Sequence, residues 1–193
     1  MKFCSNCAHP VSLRVPDGDN RLRVVCDQCG TIHYENPRIV VGTLPIRHGQ
    51  VLLCKRAIEP RSGYWTLPAG FLECGESVAE GAARETEEEA GIDITLGPLF
   101  SVVDVPFVNQ VHMFYLAEVN GDRLEPGPET LEAALFDVNA IPWETLAFRT
   151  VAMTLRWYLD DPSGARQRVG PHSAVVQAPA IRELAPAHPD LRP

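Results

Sequence analysis

Apolar positions along this chain recur first every second residue and then every third or fourth, and the changes of period mark the order of its elements. IVVGTLPI (39–46) and VLLCKR (51–56) read as strands, with HGQ between them as a turn, so the pair is predicted as a hairpin. AIEPRSGYW (57–65) is polar and turn-rich, and TLPAGFLE leads out of it. The period then becomes helical. Ala79, Ala82, Ala83, Thr86 and Ala90 form a stripe of small residues suited to packing on a sheet. Ser77, with Glu80 three residues on, supplies an N-cap, and Gly91 a stop. Strands are predicted at about 93–104, 111–119 and 131–138, with a loop at 120–130, and a second helix from about Phe148 to Leu159. Nearer the start, LRV (13–15) and RLRVV (21–25) read as short strands, and YENPR (34–38) as a linker. Beyond Asp160 the chain is rich in Pro, Ala and Arg without periodicity, and a mobile tail is expected. Strands with one helix between them and a second near the end fit an α/β class, an α/β/α sandwich.

The first helix has a second face. Glu85, Glu88 and Glu89 lie at i, i+3 and i+4 and converge, with Arg84 beside them and Glu76 in the loop before. Crowded carboxylates repel unless something offsets them, and the usual offset is a hard divalent cation such as Mg²⁺ or Mn²⁺. The stretch 70–92, GFLECGESVAEGAARETEEEAGI, resembles the Nudix box: Gly70, Glu76, Arg84, Glu85, Glu88, Glu89, Gly91 and Ile92 all stand at that motif's offsets. Thr86 departs from it, occupying a slot for a bulky aliphatic residue, and a slight loss of packing is expected there.

The resemblance implies a Nudix α/β/α sandwich with a mixed sheet over residues 37–160. It also implies an enzyme that hydrolyses the pyrophosphate bridge of a nucleoside diphosphate linked to another group. By the same analogy Glu85, Glu88 and Glu89 are ligands of the catalytic Mg²⁺ or Mn²⁺, helped by a backbone carbonyl at Ala69 or Gly70. Arg84 would orient Glu85 or Glu76, and Glu76 would act behind the ligands more than as one. The general base is either a box glutamate or a downstream one, Glu129 or Glu132, with Glu129 preferred because it precedes the strand. Glu87 points elsewhere on the helix.

The six cysteines add a second metal. Cys4-x2-Cys7 and Cys26-x2-Cys29, 18 residues apart, have the spacing of a four-thiolate zinc site. Such a closed site is structural. Residues 1–34 are therefore predicted to be a small zinc ribbon preceding the catalytic domain, too short to fold without its ion. Cys54 reads as a buried small residue, and Cys74 has no evident partner.

A formal charge of −8 argues against broad nucleic-acid binding. No apolar run is long enough to span a membrane, and MKFCSNCAHP lacks the apolar core of a signal peptide. The expectation is a cytoplasmic protein with a small-molecule nucleotide substrate, no nucleic acid or membrane partner, and a possible homodimer. The ribbon, NPR, RAIEPRSGYWTLPAGFLECGES and PGPETLEAALFDV together resemble a Nudix subgroup that includes plant chloroplast enzymes acting on FAD and ADP-ribose. NADH is a weaker choice, because the SQPWPFPxS signature of bacterial NADH pyrophosphatases is absent from 93–109. Arg56 and Arg61 are candidates for the distal phosphate, and Trp65 and Phe71 for stacking on a ring. The competing reading is a nucleotide-sensing module without catalysis; sensors of that kind typically lose a box glutamate, and this chain keeps them all.

Overall fold

The computed structural model describes residues 1–161 and 170–178, which separate into two units, Met1–Asn36 and Pro37–Pro193. In the first, β1 (Val11–Arg14), β2 (Arg23–Cys26) and β3 (Ile32–His33) form an antiparallel sheet. Its buried apolar residues are Cys4, Val25 and Cys26, three side chains in a unit of 36 residues. That is too little burial to offset the entropy of ordering the segment, so the cysteines must contribute through something other than packing.

The second unit is built on a mixed sheet. β4 (Arg38–Arg47) and β5 (Gln50–Arg56) join through a turn in which His48 and Gly49 both have positive φ, the conformation that matches strand twist. The predicted hairpin is only partly realised: the two strands pair at Ile46–Val51 and Arg47–Gln50 and then diverge. Two strands absent from the sequence reading fill the gap, β6 (Trp65–Thr66) against β5 and β7 (Ala69–Phe71) against β4. After α1 (Val78–Ala90) come β8 (Ile94–Val105), β9 (Gln110–Val119), β10 (Thr130–Asp137) and α2 (Arg149–Asp160). The sheet order is β10-β5-β4-β9-β8, closed at one edge by β11 (His172–Val175). β4 and β9 are parallel, as are β8 and β11.

Alternation along β5 assigns the layers. Val51 and Leu53 pack in one cluster with Val151, Leu155 and Tyr158 of α2. Leu52 and Cys54 pack in another with Ala90 at the end of α1 and Ile92 just beyond it. Successive side chains of a strand point to opposite faces, so the helices cover the two sides of the sheet. Leu44, Leu52, Leu53, Leu67 and Leu155 are fully buried, each worth about 2 kcal/mol in area removed from water.

The tail expectation needs correction at 172–175. This segment is a strand in register with Ser101–Asp104. His172 stacks on Trp157 at 5.0 Å and meets Phe100 at 4.8 Å, while Val176 packs with Val103 and Val105. These anchors come from distant positions and produce no local period. Residues 162–169 and 179–193, which the same expectation covered, lie outside the described residues.

Candidate active site

The divergence of β4 from β5 creates the site, because β7 can then lay its backbone along α1. The helix starts as its sequence implies. Ser77 Oγ accepts from the Glu80 amide at 3.2 Å, and the Glu80 carboxylate accepts from the Ser77 amide at 2.8 Å. It stops at Gly91, whose φ of +61° suits glycine, and where a Cβ would run into the backbone of Glu125. Along its buried stripe Thr86 is fully enclosed. Its hydroxyl meets the Thr43 hydroxyl at 2.6 Å and donates to the Ala82 carbonyl at 2.9 Å. The threonine is therefore a satisfied polar contact between helix and sheet, and the expected packing loss is not what distinguishes the position.

Gly70 brings loop and helix together. A Cβ at this position would overlap the Glu85 carboxylate, so that side chain lies directly against the β7 backbone. One residue earlier, the Ala69 amide donates to Glu89 Oε2 at 3.1 Å. Arg84 is the hub of the cluster. It holds Glu76 by two hydrogen bonds, from Nε at 3.0 Å and Nη2 at 2.8 Å. Its Nη1 reaches Glu85 at 2.8 Å and Glu88 at 3.0 Å, and Nη2 also donates to the Phe71 carbonyl at 3.2 Å. This forked pairing, with the Glu73 amide behind it, holds the Glu76 carboxyl down at about 2. Burial pushes the other two the opposite way: Glu85 is raised, and Glu89 is raised to about 8, with nearby carboxylates adding to both. Glu88 is mostly exposed and Glu87 points to solvent.

Residues 36–158 match the NUDIX domain, well over half of the chain, and residues 2–35 match the zinc ribbon described as Nudix N-terminal. The chain belongs to the Nudix family. Among its relatives, the NAD-capped RNA hydrolase NudC of Vibrio atlanticus is 32% identical over 145 residues, 74% of this chain and 51% of that protein. The chain thus spans about half the length of the NudC relatives it matches. The ADP-ribose pyrophosphatase of Methanocaldococcus jannaschii is 32% identical over 131 residues, 64% of this chain and 76% of the relative. A solved Nudix hydrolase structure from Nitrosomonas europaea is 43% identical with a TM-score of 0.82, covering 91% of this chain and 97% of its own.

The Nudix ribbon presents a second cluster. Cys4, Cys7, Cys26 and Cys29 place their sulfurs within 4.8 Å of one another. The separations Cys4–Cys29 of 3.8 Å, Cys7–Cys26 of 3.4 Å and Cys7–Cys29 of 3.4 Å are far longer than a disulfide. They are close to the edge of a tetrahedron with metal–sulfur bonds of about 2.3 Å, which is about 3.8 Å. The amides of Asn6 and Cys29 point at the Cys4 and Cys26 sulfurs, each at 3.4 Å, as donors that steady a thiolate. This is the only group of three or more such ligand atoms drawn together among the described residues; the box carboxylates are spread around Arg84.

The other residues singled out from the sequence divide. Glu129 lies close enough to Glu85 and Glu89 to raise both, while Glu132 is turned away to Lys55 at 3.7 Å. Arg56 reaches toward Glu89, with its guanidinium 5.2 Å over the Phe148 ring, and Arg61 lies 5.2 Å over Tyr64. Phe71 is 46% exposed. Trp65 is a correction: it is 9% exposed, edge-on to Phe136 at 4.8 Å with Lys55 over its ring, and offers no open face for stacking. It ends a polar, turn-rich stretch and is a stacking candidate by sequence, but β6 carries it into the core. Cys54 is buried as expected, and Cys74 is exposed. Sequence reasoning missed the Ala69 amide and the close approach at Gly70, which depend on register between distant strands. Among the described residues, a hollow lined by Ile46, Arg47, Leu96, Leu116 and Tyr158 lies at the other end of β4 and holds no box residue. No helix among them is long and apolar enough to cross a membrane.

Proposed function

We propose that this Nudix protein is a divalent-metal-dependent hydrolase of the pyrophosphate bond in nucleoside diphosphate-X substrates. ADP-ribose or FAD is the preferred choice, giving AMP and the other phosphate. The observation that carries the reading is the placement of the Glu85 carboxylate against Gly70 while Glu89 is fixed beneath the Ala69 amide. Helix carboxylates meet the loop backbone there with a single guanidinium among four carboxylates, Glu76, Glu85, Glu88 and Glu89, so the cluster keeps an excess of negative charge that suits a hard cation. Glu85, Glu88, Glu89 and the Ala69 carbonyl would hold Mg²⁺ or Mn²⁺, which when bound neutralises the substrate's bridging charge and acidifies a water. Arg84 positions Glu85 and Glu88 and is itself held by Glu76. Glu129, exposed and beside Glu85 and Glu89, is the favoured base for drawing a proton from the attacking water. Arg56 and Arg61 supply positive edges for the distal phosphate, and Phe71 an exposed ring. Cys4, Cys7, Cys26 and Cys29 would hold a structural Zn²⁺ in a ribbon over 1–34, with catalysis confined to 37–160 and the protein cytoplasmic.

A second reading is favoured by the names of the relatives. The NudC matches act on NAD-capped RNA, which makes an NAD(H)-type dinucleotide, free or at an RNA end, the alternative substrate and bears on the expectation of no nucleic-acid partner. One experiment separates the readings: kcat/KM in Mg²⁺ and Mn²⁺ for ADP-ribose, FAD, NADH, NAD-capped RNA, coenzyme A and 8-oxo-dGTP. ADP-ribose or FAD should lead. A lead for NADH or the capped RNA transfers the assignment to the second reading, and no turnover of any of them removes the catalytic one.

A further inference from the structure

Three guanidinium groups in the segments flanking the box form no salt bridge among the described residues, and each lies over an aromatic ring. Arg56 covers Phe148 and Arg61 covers Tyr64; the third, Arg38, lies 4.6 Å over Phe71 and closes the NPR segment, to which the sequence reading assigns no role. A chain of net charge −8 has carboxylates in excess, so an arginine left unpaired beside the acidic cluster is not explained by ion pairing within the protein. Arg38 opens β4. Its backbone amide is tied to the Asn109 carbonyl at 2.9 Å, and two residues on, Val40 pairs with Phe71. The ring stacked on the guanidinium therefore belongs to the residue that follows Gly70, whose backbone touches Glu85. Stacking satisfies the flat face of a guanidinium and leaves its N–H edge free in the ring plane. Such an edge matches two oxygens of a phosphate. Arg56 stands on the β5 side of the gap between β4 and β5, and Arg38 on the β4 side.

We propose that Arg38 is a substrate-binding residue: held flat on Phe71, it donates its free edge to a phosphate oxygen of the diphosphate, opposite Arg56. This rests on the hydrolase reading above. The contact is present before and during bond cleavage, so its loss weakens binding in both states and raises KM with little change in kcat. In Arg38→Gln, KM for ADP-ribose should rise about ten- to a hundredfold, the range for one hydrogen bond between charged groups, with kcat within about threefold. Arg38→Lys keeps the charge but not the planar edge and should fall between the two. Guanidinium ion added to Arg38→Ala should restore part of the lost affinity, which a purely structural role would not allow. A KM in Arg38→Gln within about twofold of the parent overturns the proposal, as does equal loss of kcat and affinity without rescue. Binding of α,β-methylene ADP-ribose, whose bridge resists hydrolysis, tests Arg38 separately from turnover. If no substrate is cleaved but the analogue binds more weakly to Arg38→Gln, the hydrolase reading fails and the phosphate contact stands. Equal binding by parent and variant, or none by either, removes the contact.

Discussion

Glu89 should make cation binding depend on pH. It is 8% exposed, and burial, aided by Glu85 and Glu129, raises its carboxyl to about 8 against the pull of the Ala69 amide and Arg56. The folded value lies above the ordinary 4.5, so between these values the ion-free protein keeps a proton that the unfolded chain has released. The contribution of Glu89 to stability is therefore greatest below the unfolded value and declines as pH rises toward 8. The gap from 4.5 to about 8 corresponds to ~5 kcal/mol at about 1.36 kcal/mol per pH unit. A cation that takes the carboxylate must displace that proton. Below about pH 8, binding should release close to one proton, and affinity should weaken about tenfold for each unit of acidification. Mn²⁺ titration calorimetry from about pH 6 to 8, in two buffers of different ionisation enthalpy, reads both quantities. The expected result is a change of about a hundredfold across that range, with the proton release lost in Glu89→Gln. An affinity constant within about threefold, with no buffer-dependent heat, refutes the reasoning.

The remaining predictions concern both candidate metal sites and the buried histidine. Glu88→Gln should lower kcat by about a hundredfold or more while leaving the melting temperature within about 2 °C, because the side chain is mostly exposed; unchanged turnover in saturating Mg²⁺ refutes its assignment as a ligand. Cys26→Ser should lower both bound zinc and the melting transition of the ribbon, since it removes a thiolate from the tetrahedron, and a variant with full zinc content rules against a four-sulfur site. His112 is bonded to Thr150 at 3.1 Å and Gln110 at 3.0 Å, and burial lowers it to about 4. Its contribution to stability is complete above 6.5 and is lost as pH falls toward 4, so the parent's advantage over His112→Asn should shrink by about 2 kcal/mol from about pH 7 to 5; a constant difference in chemical denaturation contradicts this.

What was legible in the sequence is what local spacing controls. The cap at Ser77, the stop at Gly91 and the shared face of Glu85, Glu88 and Glu89 all follow from contacts within a few residues, and the helix appears between those ends. The Cys4-x2-Cys7 and Cys26-x2-Cys29 spacing was equally direct, because each pair needs only one tight turn. Register was not legible. The separation of β4 from β5, the insertion of β6 and β7, and the attachment of β11 depend on pairings across tens of residues. Trp65 and Arg38 illustrate the consequence. One was judged available and is in the core, while the other was passed over as part of a linker and lies beside the box. Thr86 shows the same limit at one atom, since the hydroxyl that suits it to its slot is Thr43's, 43 residues away.

The two kinds of charge in this site impose an order on its use. Even with Glu89 holding its proton, three carboxylates and one guanidinium leave the cluster negative, in a chain already at −8, and a diphosphate approaching it alone would be repelled. Arg38, Arg56 and Arg61 would reduce that repulsion at the rim, but Arg38 and Arg61 are exposed and Arg56 half-buried, so water and salt screen their pull on a diphosphate that has not yet docked. Three such contacts cannot reverse the field of a partly buried acidic cluster. A divalent ion held by the carboxylates, as proposed above, would, because its charge would be screened least by solvent there. On that reading the cation would bind before the substrate, or with it. Glu89 adds a second condition, for it must give up its proton before the ion can enter. On the proposed reading, binding of the cation, loss of the Glu89 proton and admission of the diphosphate would be linked, and the arginines outside the helix would act on a substrate whose repulsion the metal had already offset.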